Sequence, residues 1–250
     1  MRSPVAAPWL ALAILVTPAE AQIPDKFTNL KILAKDISKQ ELVSKMRGFA
    51  SGLGVRCNHC HVGGTANDLT GMDFASDDKR EKRVARVMLA MVDEINGKMI
   101  KKAGIENPVT VGCVTCHHGV TRPETLPEIL KRAVAAGGVD ALKTEYRSLR
   151  EKYYGSASYD FKPRSLNEVA EWLSEENKGN VAIAVMQFNI EQNPGDAYCY
   201  NLLGRLQMDA GDNATAMASV TKAIELDPND KWSARLLEKL QAESQAQPPK

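Results

Sequence analysis

Two short stretches concentrate the side chains able to do chemistry. Residues 57–61 read CNHCH and residues 113–118 read CVTCHH, so four of the five cysteines and all four histidines of the chain lie in them. Core packing scatters such residues. Four chemistries compete for the clusters. A disulfide across two intervening residues closes a small strained ring and leaves the adjoining histidine unexplained. Paired CxxC hooks can hold zinc, but the 52 residues between Cys60 and Cys113 far exceed the usual ribbon spacing of about 15–20. A thioredoxin-like redox pair needs a βαβ setting, and strand signals are missing. Covalent haem attachment accounts for every residue: Cys57 and Cys60 form the thioethers and His61 ligates the iron, with Cys113, Cys116 and His117 repeating the arrangement. The expectation is two c-type haems.

Each iron then needs a sixth ligand. His59 lies inside the first attachment loop and His118 directly follows a proximal ligand, so either could serve across haems or simply face solvent or a propionate. Methionine is what remains; its thioether favours ferrous iron and raises the potential, as suits an electron carrier.

The elements that must position these hooks are helical. Ser38-Lys39-Gln40-Glu41 reads as a capping box, followed by Leu42, Val43, Met46, Phe49 and Ala50 at helical spacing, with Gly52 and Gly54 stopping the helix before Cys57. Residues 62–76 lack any period and read as loop. From Asp77 a second helix carries an apolar stripe of Val84, Val87, Met88, Met91, Val92, Ile95 and Met99, ending near Gly104 and Pro108 before Cys113. Helices are expected at 127–136 and 139–153, then a polar and aromatic connector at 155–163.

The ordered run NLKILAKDIS (29–38), MRGFASGLGVRCNHCH (46–61), DFASD (73–77), RVMLAMVDEIN (86–96) and CVTCHHG (113–119) resembles the cytochrome subunit family of photosynthetic reaction centres and its shorter secreted relatives in non-phototrophic bacteria. The resemblance covers about residues 27–122. It implies that the helix before each hook donates the methionine to the haem that follows: Met46 for the haem at Cys57, and Met91 for the haem at Cys113, with Met88 and Met72 in reserve. Both methionines also sit on apolar stripes, where ordinary core packing is the alternative. The chain departs from the family in having two hooks where four haems are usual, in lacking a lipidated N-terminal cysteine, and in placing His118 where arginine is common.

Farther along, Pro194 and Pro228 are 34 residues apart, as are Ala182 and Ala216, the period of a tetratricopeptide array. Tyr200, Leu203, Gly204, Ala216, Val220 and Ala223 fill the slots of one copy; Leu166, Val169, Ala170, Ala182 and Met186 fill those of a weaker one. A helix around Trp232–Leu240 would cap the stack. Cys199, inside this array, reads as a small buried packing residue.

The 250-residue chain carries 32 Lys+Arg against 31 Asp+Glu, a net of +1, which gives no overall field favouring nucleic acid or an anionic membrane. Arg2, the apolar run from Val5 to Val16 and Ala19-Glu20-Ala21 read as a signal peptide cleaved before Gln22, with a retained anchor as the alternative. The organisation expected is therefore all-α: a signal peptide (1–21), a dihaem cytochrome domain (22–125), a helical connector (126–162) and tetratricopeptide-like repeats with a capping helix (163–250). The expected function is a periplasmic electron carrier, no transmembrane segment remaining after cleavage, with redox protein partners among which a membrane electron-transport complex is a candidate. The alternatives are a dihaem peroxidase-like enzyme with one open haem site and a haem-bearing scaffold or sensor.

Overall fold

The computed structural model describes residues 23–246; the expected signal peptide lies outside them. The regular structure among the described residues is helical apart from a lone antiparallel bridge between Val62 and Asp73. They fall into two compact units, one running to Thr121 and the other starting at Arg122.

In the first unit, α1 (Lys39–Leu53) begins at Ser38, whose side chain accepts from the Glu41 N–H at 3.2 Å, and ends at Gly54 in the left-handed conformation (φ 64°). A short 3₁₀ turn, Cys57–His59, carries the first hook. Helix α2 (Arg80–Glu94) passes through a π turn (Ile95–Met99) into α3 (Ile100–Lys102), one continuous rod. The second hook is itself a helix, α4 (Cys113–His117), and α1 packs on it. That approach is close: a Cβ at Gly52 would stand 3.0 Å from Cys113 Cβ and from the Val114 nitrogen, and the Gly119 N–H donates to the Gly52 carbonyl at 3.0 Å.

The second unit opens with α5 (Leu126–Tyr153), started by a full capping box of Thr125 and Glu128 and broken where Gly137 and Gly138 leave helical geometry. The two halves match the helices expected at 127–136 and 139–153. Four helices follow as two hairpins, α6 (Pro163–Glu175) with α7 (Gly179–Gln192) and α8 (Ala197–Asp209) with α9 (Asn213–Leu226), and then α10 (Lys231–Ala246). First helices start at 163, 197 and 231 and second helices at 179 and 213, each step being 34 residues. Apolar residues of α5 to α8, among them Leu130, Tyr146, Phe188 and Leu202, share one core. Gly204 lets α8 and α9 close up, since a Cβ there would sit 2.5 Å from Val220 Cγ2. Buried amides link helices of the stack: Asn189 of α7 donates to Asn167 of α6, and Asn201 of α8 to Ser233 of α10, both at 2.7 Å. Cys199 is fully buried, as expected.

Candidate functional site

A cavity of about 1270 Å3 opens between α1 and α2. Its lining from α1 includes Leu42, Met46, Phe49 and Leu53, residues three, four and seven apart that share a face. Cys57, Cys60 and His61 open onto it, and Met72 lines it as well. The structure thus brings together four of the residues expected at the first site: both cysteines, the proximal histidine and Met46.

The His61 ring meets Phe74 edge-on at 5.1 Å between centroids, and its Nδ1 is a buried nitrogen with no hydrogen-bond partner. Burial, reinforced by the charge of Lys82, pushes this imidazole below its usual range, so it is held neutral, the form that ligates a metal. Lys82 in turn donates to the carbonyls of Phe74 (2.8 Å), Ala75 (3.0 Å) and Ser76 (2.6 Å), fastening the loop that carries Phe74 to α2. Periodicity could not have found this role for Lys82, since the contact depends on the path of an aperiodic loop.

Asp77 is a hub on the same wall. Its carboxylate meets Lys31 at 2.7 Å, Arg86 at 2.6 Å and Asn29 at 2.9 Å, with Lys82 at 3.4 Å. Hydrogen bonds, the largest from Lys31, hold its carboxyl far below the usual carboxylate range. Of the arginines near the hooks, Arg86 is thus engaged by Asp77, Arg83 by the Asp77 and Asp78 carbonyls, and Arg122 by Glu124 at 2.8 Å.

The second hook is built differently. The His117 ring pairs through Nδ1 with the Val120 carbonyl at 2.9 Å. An N–H donated there leaves Nε2 as the free lone pair, the orientation in which proximal histidines serve metals. Burial raises the Cys113 thiol above its ordinary range, and burial, with Glu81 next, does so for Cys60, so both are protonated thiols and not thiolates. All five cysteines are unbridged. Among the described residues no three His, Cys, Asp or Glu side chains converge as a metal cage.

The apolar stripe of α2 does not go where a packing argument sends it. No residue of α2 is buried; Val87 is 68% exposed, Met91 47%, Met88 43% and Val84 37%. The opposite side of the helix, Lys82, Ala85, Arg86 and Leu89, is the one that lines the cavity. Met91 stands nine residues beyond Lys82, roughly 2.5 turns, so the two faces are about 180° apart. Periodicity revealed an apolar face but not its cover; protein packing does not supply one, and core packing therefore fails as the account of Met88 and Met91.

Apolar walls, a neutral buried imidazole, two thiols beside it and a thioether in the lining fit a covalently held haem at the first hook. The class these features define is a helical c-type cytochrome. The family matched over residues 11–215 is the photosynthetic reaction centre cytochrome C subunit. The chain belongs to that family and is a haem-binding cytochrome. No curated protein matches the chain. Among solved structures, it is similar to the first tetratricopeptide domain of Spaghetti (RPAP3) bound to the HSP90 peptide SRMEEVD, at 17% identity over 48% of this chain and 91% of that one, TM-score 0.35. It is also similar to the Sgt2 tetratricopeptide domain from Aspergillus fumigatus, at 19% identity over 50% of this chain and 83% of that one, TM-score 0.35.

Proposed function

We propose that the chain is a periplasmic dihaem c-type cytochrome that relays electrons and docks a redox protein partner through its helical repeats. Cys57 and Cys60 hold one porphyrin and Cys113 and Cys116 the other; His61 and His117 are the proximal ligands, Met46 and Met91 the distal ones. The bound irons supply one-electron chemistry, and the protein supplies ligands, a dry wall and charge placement. The observation that carries this reading is helix α2: one side lines the cavity beside the first hook while the opposite side presents an uncovered apolar face bearing Met91. Contiguous exposed apolar surface on a folded protein marks a binding site, and a porphyrin on each side explains a helix that has no buried residue. The two sites would then lie on opposite sides of a single helix, about 10–12 Å wide. Among the described residues no helix is long and apolar enough to cross a membrane.

The test is intact mass and visible spectroscopy on protein exported in a host with cytochrome c assembly machinery. Two haems per chain are expected, falling to one in Cys113→Ala/Cys116→Ala. Met46→Ala and Met91→Ala should each abolish the methionine–iron charge-transfer band of one iron. A single haem in the parent protein refutes the reading, and a high-spin fraction with rapid peroxide turnover in that protein would favour an enzyme.

A further inference from the structure

The segment from the end of α3 to the second hook has little to hold it. Every residue from 101 to 110 is exposed, including Ile105 and Val109, and the chain then turns directly into Cys113. One side chain reaches across. Asn96 donates from Nδ2 to the Val111 carbonyl at 2.8 Å and accepts the Val111 N–H on Oδ1 at 2.9 Å. A carboxamide that both donates to and accepts from one residue mimics a neighbouring backbone strand, and this pairing fixes which end of the amide is nitrogen.

The location of Asn96 makes the clamp consequential. It lies in the π turn of the rod that carries Met91, and such turns inside helices are frequent at functional sites. Its partner Val111 immediately precedes Gly112, the N-cap of α4, whose N–H donates to Thr115 Oγ1 at 3.0 Å. The far end of the hook is tied to α1 by the Gly119-to-Gly52 hydrogen bond. The hook is therefore packed against α1, which meets it at Cys113 and Val114 and again at Gly119, while its tie to the rod that carries Met91 is the side chain of Asn96.

We infer that Asn96 is a positioning residue for the second haem site, its amide locking Val111 to the π turn that continues α2 and so setting the Cys113–His117 hook in register with Met91. This rests on the dihaem reading above. A methionine half exposed on a helix without a core gains its correct distance from His117 only through such ties, because thioether attachment fixes the porphyrin to the hook and not to α2.

The experiment uses full-length, haem-loaded protein in a Met46→Ala background, where the remaining methionine–iron band belongs to the second iron. Asn96→Ala should keep both covalent haems by mass yet lose that band. Asn96→Asp, which can still accept from the Val111 N–H but cannot donate, should retain part of it. A general loss of stability would instead shift the unfolding midpoint and leave the band in the folded fraction. Independently, hydrogen exchange on the parent protein should show the Val111 amide protected relative to Val109 and Thr110, a readout that survives if Asn96→Ala fails to mature. An undiminished band in Asn96→Ala, or a Val111 amide that exchanges as fast as those two neighbours, overturns the inference. Only one haem in the parent protein overturns the dihaem reading itself, so the two failures are distinguishable.

Discussion

Replacing Gly54 with alanine tests the closeness of the two hooks. Gly54 terminates α1 at φ 64°, ψ 33°, with its N–H turned back onto Ala50 and Ser51. Alanine in the left-handed region costs about 1–2 kcal/mol. The new Cβ would also run into the carbonyl of Gly119, backbone that cannot rotate away. Overpacking of that kind costs about 1–3 kcal/mol, so the total is about 2–5 kcal/mol. Gly71 provides the control: its φ is 71°, but a Cβ there meets nothing within 4 Å, so Gly71→Ala bears only the first cost, about 1–2 kcal/mol. Urea unfolding of exported protein, followed through haem absorbance so that it reports the cytochrome unit, measures both variants at constant slope. Gly54→Ala should lose markedly more than Gly71→Ala. Equal losses would mean that α1 does not abut the second hook, and the account of how that hook is seated would fall with it.

Further outcomes follow from other sites. Because the Asp77 carboxyl titrates below its ordinary range, it contributes stability that is fully present above the unfolded-state value of about 3.9 and is lost as the pH falls below it. Acid unfolding should therefore be less steep in Asp77→Asn, which should already be weaker at neutral pH; identical acid profiles would show that the hub carries no net stabilisation. In the repeat unit, Gly204→Ala should cost about 1–3 kcal/mol by overpacking against Val220. Adding Val220→Ala should recover part of that loss in a double-mutant cycle on thermal unfolding, whereas strict additivity would mean that the two residues do not touch.

Much of this architecture is legible in local pattern, and what is hidden is hidden for physical reasons. The 34-residue spacing of Pro194 and Pro228 anticipates helices starting at 163, 197 and 231, because each repeat must present the same face to the next. Ser38 and the Gly137–Gly138 pair mark a real cap and a real break. Residues 126–162, by contrast, read as a helical connector, and that Leu126, Leu130 and Tyr146 of this stretch share the core of the hairpins is a tertiary fact that periodicity does not contain. Around the hooks, Cys57, Cys60 and His61 announce themselves by spacing, and Met46 does line their cavity. The face of α2 that does so includes Lys82 and Arg86, charged residues that no search for apolar spacing selects. Asn96 and Val111 are 15 residues apart, and only the path of the intervening loop makes them partners.

The nakedness of α2 bears on biogenesis. A rod from Arg80 to Lys102 without one buried residue in its first fifteen has little protein contact to resist local opening, and segments of that kind are where proteases cut. In the proposed dihaem state, the freshly exported polypeptide is vulnerable along this rod until both porphyrins are welded in place. On that proposal, cofactor loading would double as a checkpoint, since a chain that misses a haem keeps an uncovered rod open to proteolysis.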